Sequence, residues 1–475
     1  MDSYVVKEIK KLDVDLNITL ESLILDTYEI VPDSNVKNIT ISNCTIRKGL
    51  KIKGAAQGSC LNIEDCIFES YNGITIENSC FRAVYIKNSV LMDNPNGEMQ
   101  LNFMTGIVSN TLQVLNSYIH NLFVNNINIS LEIKNSSVES KLHYFPSKRE
   151  DTERSWAFFE NVNFESSEIK FAGAELGEIQ FKNINTDIEA SGRCHILEIK
   201  QDFVLDLIFK NAHFIETYID LENVTVRSID ANSSTLGKVF NFFVGNIKEE
   251  LERKVNVISI TECSLGESYF HGRIIHNSID FGQTNFLMPP EFYNSEIPQG
   301  SIFPDSTNFS ICGSDTSIAA FRALRLHMEE QRNRELEGEF FYLEQKSILK
   351  KEKDSGKKNW FRYFYGLISD FGNNAVKPLI ILITSMFVFA IIYALWLSPK
   401  VSVYLPIDFE LVSKSLHFST KQMTLPFWSV RNLTPLIDKE TQTHPIMYLA
   451  IFQSLVSLTC IALSALAIRW RFKRG

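Results

Sequence analysis

The sequence predicts a mainly β chain with a membrane α-helical end: a solenoid of stacked parallel strands, a helical connector, then two transmembrane helices. Three observations carry that reading. An apolar–x–Asn–small–x–apolar motif recurs through the first 310 residues, two uncharged runs of 19 and 23 residues lie near the end, and basic residues flank both runs. Hydrophobic residues make up 45% and charged residues 22% of the 475, so there is enough apolar material for a sizeable core. The net charge of −9 is unevenly placed: 26 Lys and Arg stand against 43 Asp and Glu up to residue 317, and 21 against 13 beyond it. An acidic body argues against direct binding of a phosphate backbone, so no nucleic-acid partner is expected.

The motif appears as ISNCTI (41–46), IEDCIF (63–68), IKNSVL (86–91), VLNSYI (114–119), IKNSSV (133–138), FENVNF (159–164), FKNINT (181–186) and FKNAHF (209–214). Its polar residue falls at positions 43, 65, 88, 116, 135, 161, 183 and 211, at intervals of 19 to 28. A polar turn residue at that period, between β-branched and aromatic strands, is what a stacked solenoid requires. Each coil would pair its strands in parallel with the next, and asparagines could stack in ladders at the corners. Cys44, Cys66, Cys80 and Cys263 follow the turn residue and read as buried structural thiols.

Towards residue 310 the period tightens. Phe270, Ile275, Phe281, Phe286, Phe292, Ile297, Ile302 and Phe309 recur every 5–7 residues, with small residues two before at Thr284, Ser295, Gly300 and Thr307. This stretch, 264–310, resembles the pentapeptide-repeat family. The resemblance implies a right-handed parallel β-helix with one inward Phe or Leu per side, here assigned to 1–310 as a cytoplasmic domain. No GxxxxGK[ST], GxSxG, GxGxxG or HExxH motif occurs, no cysteines are paired as CxxC, and the carboxylates are dispersed. No catalytic residue, metal site or cofactor is therefore assigned, and the chain is not read as an enzyme.

Residues 311–357 change to helical spacing. Ile318, Phe321, Leu324 and Met328, then Leu336, Phe340, Leu343 and Ser347, define an amphipathic connector. Asp315 is expected to cap its start and Glu330 to pair with Arg334. Gly338 either breaks the connector into a hairpin or lies inside one long helix. An interfacial segment, 358–377, follows, with Trp360, Arg362, Tyr363, Tyr365 and Lys377 as headgroup-level anchors. Lysines at 350, 351, 353, 357 and 358 should attract anionic lipid.

The first span is 378–397, with Pro378 in its opening turn, and the second is 446–468. A basic tail, 469–475, carries Arg469 and Arg471. The intervening loop, 398–445, is nearly balanced in charge. The positive-inside rule then places both termini in the cytoplasm of a two-span protein of the cell (inner) membrane, with the loop outside. The opening residues carry no long apolar segment, so no secretory signal is expected there.

Within the loop, 415–436 mixes Ser and Thr with Phe, Leu and Trp. It fits a re-entrant segment with Ser419, Thr420, Lys421, Thr424 and Arg431 as candidate pore-loop residues; an ordinary external cap fits equally. In the second span, Ala450, Gln453, Ser457, Cys460, Ser464 and Ala467 form one small, polar stripe. The stripe either packs closely against other helices, with Gln453 as hydrogen-bonding glue, or lines a pore.

The strings AFRALRLHMEEQRNRELEGEFFYLEQKS (320–347) and WFRYFYGLISDFGNNAVKPL (360–379), with PPEFYNSEIPQGSIFPDSTNF (289–309) and LAIRWRFKRG at the end, resemble pentapeptide-repeat membrane proteins with an ion-channel-like C-terminal region. The resemblance implies a homo-oligomeric channel-like pore regulated by a cytoplasmic sensor domain that meets a protein or ligand. The TVGYG filter of potassium channels is absent. Two further readings stand beside it: a non-conducting, membrane-tethered interaction scaffold, and a triggered membrane-permeabilising defence effector.

Overall fold

A computed structural model of the chain describes residues 17–474, leaving out 26–27, 33–35, 48, 55–58, 70–73, 78–80, 92–100, 105–110, 126–129, 146–154, 166–167, 174–175, 187–195, 202, 245–252, 358, 398–408 and 425–443. The chain divides into two compact units, Met1–Ser310 and Ile311–Gly475.

The first unit is a long solenoid-like stack of parallel strands. Twelve of them, from Asn17–Glu21 through Ser155–Glu160 to Ile274–Asp280, form one continuous sheet in which each strand pairs only with those of the coils before and after. A second column begins just past a corner and consists mostly of two-residue strands such as Thr45–Ile46, Ile67–Phe68 and Asn163–Phe164. A third column holds strands such as Leu50–Lys53, Glu168–Gly173 and Val239–Asn241. In strands such as Ser59–Glu64 and Ser155–Glu160 alternate residues are buried, as the two-residue repeat of a pleated strand requires.

The corner between the first two columns explains the sequence motif. All eight repeat positions, Asn43, Asp65, Asn88, Asn116, Asn135, Asn161, Asn183 and Asn211, adopt left-handed backbone with φ of 48–54°. Asn and Asp tolerate that conformation best among residues with a side chain. The turn lets each corner N–H reach the next coil, as in Asn161 N to the Lys182 carbonyl at 3.0 Å. The amides also form the expected ladder: Asn161 Nδ2 donates to Asn135 Oδ1 at 2.8 Å, Asn183 to Asn161 at 2.9 Å and Asn211 to Asn183 at 3.0 Å.

The small residue after each corner builds a second, buried ladder. Ser89 N donates to Ser117 Oγ at 3.2 Å, and Ser117 N to Ser136 Oγ at 3.1 Å. Cys44, Cys66 and Cys263 occupy the same position and are buried; Cys80 lies outside the described residues. The corner continues at Ser233, Glu262 and Gln283, with φ of 50–58°, where no asparagine marks it.

From Phe159 onward phenylalanines in the interior stack like on like. Phe159, Phe181 and Phe209 stack with centroids 5.1 and 5.4 Å apart, and Phe270 lies on Phe292 at 4.9 Å. In the last coils the inward positions are Phe270, Ile275, Phe281 and Phe286, then Phe292, Ile297, Phe303 and Phe309. Ile302, expected to point inward, is 52% exposed. It pairs with Asp280, and its neighbour Phe303 meets Phe281 at 5.7 Å. A one-residue shift of register exchanges the two faces of a strand, so only one of two adjacent apolar residues can enter the core. Arg273 is buried completely at another corner. Its guanidinium lies 3.8 Å from the Phe242 ring centroid and donates to the Val224 carbonyl at 2.9 Å; burial lowers its pKa to about 9.

The second unit is helical. Helices α1 (Asp315–Glu330) and α2 (Arg334–Asp354) form an antiparallel hairpin, closed at its centre by the buried Glu344 carboxylate. Arg322 Nε and Arg325 Nε both donate to it, at 2.8 and 3.0 Å. The break falls at 331–333, where Arg332 is left-handed (φ 60°), and Gly338 lies inside α2. Ser314, not Asp315, caps α1: its Oγ accepts from Ser317 N at 3.1 Å, while Asp315 contacts Lys351. Arg334 pairs with Glu337 at 2.6 Å rather than with Glu330.

Beyond the hairpin lie α3 (Trp360–Ser369), α4 (Val376–Leu397), α5 (Phe409–Thr424) and α6 (His444–Arg474). Two segments are long and apolar enough to cross a membrane: Val376–Trp396, with mean hydropathy 2.5, and Ile446–Arg469, with 2.1. Only 22% and 33% of their most apolar stretches are buried within the chain, whereas the core helix of a soluble protein would be mostly covered.

Two measurements test the packing of the first unit. Phe181→Ala removes the middle ring of a stack and should destabilise the unit by about 3–5 kcal/mol in denaturant unfolding. Burial beside Phe123 also lowers the pKa of His143, outweighing the nearby Glu168. The folded state thus favours the neutral ring, and the unfolded chain binds more protons as pH falls. Stability from this source is complete above the ordinary value of 6.5 and is lost as pH falls through the lowered folded pKa. His143→Phe should flatten that part of the stability–pH curve.

Candidate functional site

The site lies where α4, α5 and α6 meet. Sixteen residues at about 1.5 Å each make α5 roughly 24 Å long, short of the ~30 Å hydrocarbon core. Its buried residues are Ser415, Phe418, Ser419 and Gln422, one face at helical spacing. An apolar cluster of Phe389 and Tyr393 from α4, Phe418 from α5, and Ile446 and Ala450 from α6 fixes the three helices together. Tyr393 meets Phe418 edge-on, with centroids 5.1 Å apart.

Buried polar contacts link all three helices. Tyr393 OH donates to Gln453 Oε1 at 2.9 Å, and Gln453 Nε2 donates to Ser419 Oγ at 2.7 Å and to the Ser419 carbonyl at 3.1 Å. Ser419 Oγ in turn donates to the Met386 carbonyl at 2.7 Å, and Ser454 Oγ to Gln422 Oε1 at 3.0 Å. In an apolar surrounding an unpaired amide is costly, so these bonds fix the rotation of each helix as well as its position. The hydroxyls of Ser415, Ser457 and Ser464 and Nε2 of Gln422 are buried without a hydrogen-bond partner among the described residues.

The α6 stripe is brought onto one face. Ala450, Gln453, Ser457, Cys460, Ser464 and Ala467 are all buried against other parts of the same chain, while Tyr448, Phe452, Leu455, Leu458 and Ile461 face outward. Among the pore-loop candidates, Ser419, Thr420, Lys421 and Thr424 lie on the last turns of α5, so the described part of 415–436 is helix; Arg431 lies outside the described residues. Ser419 is buried, Thr420 and Lys421 are half-buried and Thr424 is exposed.

The residues expected at headgroup level fall on α3, at the start of α4 and near the end of α6. Trp360, Tyr363 and Tyr365 are exposed, whereas Arg362 contacts Glu352. Lys377 pairs with Asp370 at 2.8 Å, in a tight turn where Asp370 and Phe371 are both left-handed. Phe371 is buried there, and a Cβ on Gly366 would come within 2.6 Å of its ring, so α3 and the turn before α4 are closely fitted. Asn374 Oδ1 accepts from Val376 N and Lys377 N, capping α4. Arg469 is exposed near the end of α6, and Arg471 follows on the same helix.

Sequence reasoning missed four members of the network: Tyr393, Met386, Gln422 and Ser454. Tyr393 is one aromatic within an apolar run, and Met386 takes part only through its carbonyl. Ser415, Phe418, Ser419 and Gln422 stand at intervals of three and four, a spacing not singled out in the sequence, and a half-polar pattern does not reveal what it packs against. Comparison with protein-family models, curated proteins and solved structures found no match for the chain.

Gln453→Leu removes the central amide and leaves the Tyr393 and Ser419 hydroxyls without it. The expected cost is about 1 kcal/mol, typical of a hydrogen bond between membrane helices. Steric-trapping or detergent unfolding of the full chain would measure it.

Proposed function

We propose that this is a two-span protein of the cell membrane with both termini in the cytoplasm, whose α4–α5–α6 unit assembles with other copies into a channel-like pore. The observation that carries this reading is α5, too short to cross yet held between two apolar helices by a buried polar network. A helix shorter than the membrane core, docked between two spans, presents its end to an axis shared by several protomers. Two spans cannot enclose a pore alone, so the reading requires a homo-oligomer. Since the α6 stripe is taken up by packing within the chain, the lining falls to the accessible end of α5: Thr420, Lys421 and Thr424.

The orientation rests on the lysines before α4 and the arginines on α6. For the first unit we propose a right-handed pentapeptide-like β-helix, which senses a cytoplasmic ligand or protein and biases the pore through the α1–α2 hairpin. The 22-residue spacing of Phe270 with Phe292 and Phe281 with Phe303 supports that fold. A second reading, a non-conducting tethered scaffold, draws support from the acidic excess of the first unit, which suits a basic partner protein.

Single-channel recording from the purified full chain in a planar bilayer, with asymmetric chloride salts, tests the proposal. Discrete current steps are expected, and Lys421→Glu should shift the reversal potential towards cation preference. Confirmed oligomeric insertion with no current, persisting after removal of residues 1–310, would favour the scaffold.

A further inference from the structure

A pocket of about 480 Å³ opens where α2 ends and α3 begins, with Leu349 in its wall. Glu352, Lys353, Lys357, Asn359, Trp360 and Tyr363 complete the lining. Its charge is net positive. Lys353 and Lys357 are exposed and make no ion pair among the described residues, while Glu352 gives one carboxylate oxygen to Arg362 and buries the other without a hydrogen-bond partner among them. The Asn359 side chain is engaged too, accepting from Arg362 N at 3.3 Å as the cap of α3, so the start of the helix is already satisfied.

The other half of the pocket is aromatic. Trp360 and Tyr363 meet edge-on at 6.4 Å, and Trp360 is 59% exposed. The apolar surface continues along α3 through Phe361, which is 90% exposed, Phe364 and Leu367. A contiguous exposed apolar surface of this kind needs cover. The turn at Asp370–Gly372 leads from α3 into α4 within six residues, so α3 lies beside a membrane span.

We propose that this pocket binds the headgroup of an anionic phospholipid. Lys353 and Lys357 contact the phosphate, and Trp360 and Tyr363 pack on the glycerol and upper acyl chains. The two lysines supply charge for an anion, and the aromatic face is continuous with surface that a bilayer would cover; a soluble anion would use only the first. An occupant here bridges α2 of the hairpin and α3 at the interface, joining the connector to the membrane. The proposal stands whether or not the protein conducts.

The test uses the full chain in nanodiscs of phosphatidylcholine with one part in five phosphatidylglycerol. Retained phosphatidylglycerol is counted by native mass spectrometry after release. Lys357→Ala should lower retention about fivefold, and the Lys353→Ala/Lys357→Ala pair about 25-fold. Trp360→Ala should lower it with charge unchanged, whereas Lys346→Ala, outside the pocket and over the Tyr342 ring, should not. Lys353→Arg/Lys357→Arg should retain lipid, which keeps the test decisive if the alanine pair fails to fold. Equal retention by the folded pair variant and the unaltered chain would overturn the proposal. So would equal loss on Lys346→Ala, or displacement of the lipid by millimolar inorganic phosphate.

Discussion

The left-handed corner residue governs the first unit. At the corner after the first column, one such residue per coil turns the chain while leaving its N–H pointing at the next coil, so the parallel pairing carries on around the bend. Asn161 shows the full arrangement: φ of 54°, a backbone bond to Lys182, and side-chain bonds to the asparagines of the coils before and after. Because the corners align, Ser89, Ser117 and Ser136 stack behind them, and phenylalanines such as Phe159, Phe181 and Phe209 come into register inside. Outward charges alternate for the same reason: Lys182 reaches Glu160 at 2.6 Å, and Glu160 lies 3.7 Å from Lys134. Glu29, Glu160, Glu198 and Glu216 are tied in this way to lysines of neighbouring coils.

In the second unit the corresponding role falls to buried polar groups. Glu344 between Arg322 and Arg325 closes the α1–α2 hairpin, and the contacts among Tyr393, Gln453 and Ser419 set α5 against α4 and α6. Apolar packing alone specifies rotation weakly, since many apolar faces bury comparable area. A buried amide with two partners has few acceptable positions, and that is how a half-polar helix keeps a defined place between two apolar ones.

Most of the architecture was legible because its signals are periodic. Asparagines every 19–28 residues marked corners, and uncharged runs marked the two helices long and apolar enough to cross a membrane. Legibility failed where a position depends on backbone conformation and not on residue type. The corners at Ser233, Glu262 and Gln283 carry no asparagine, the hairpin breaks at Arg332 without a glycine, and Ile302 and Phe303 are both apolar although only Phe303 enters the core. At the candidate site the α6 stripe was visible, but what buries it was not. Ser457 and Cys460 look alike facing a pore or a neighbouring helix until α4 and α5 are placed beside them.

Amide hydrogen exchange of the full chain in nanodiscs examines the placement of α5, on which the functional reading rests. Docked between two spans inside the bilayer, the amides of 409–424 should exchange as slowly as those of α4 and α6. Exchange within seconds, as for an isolated helix of this length in water, would contradict the account.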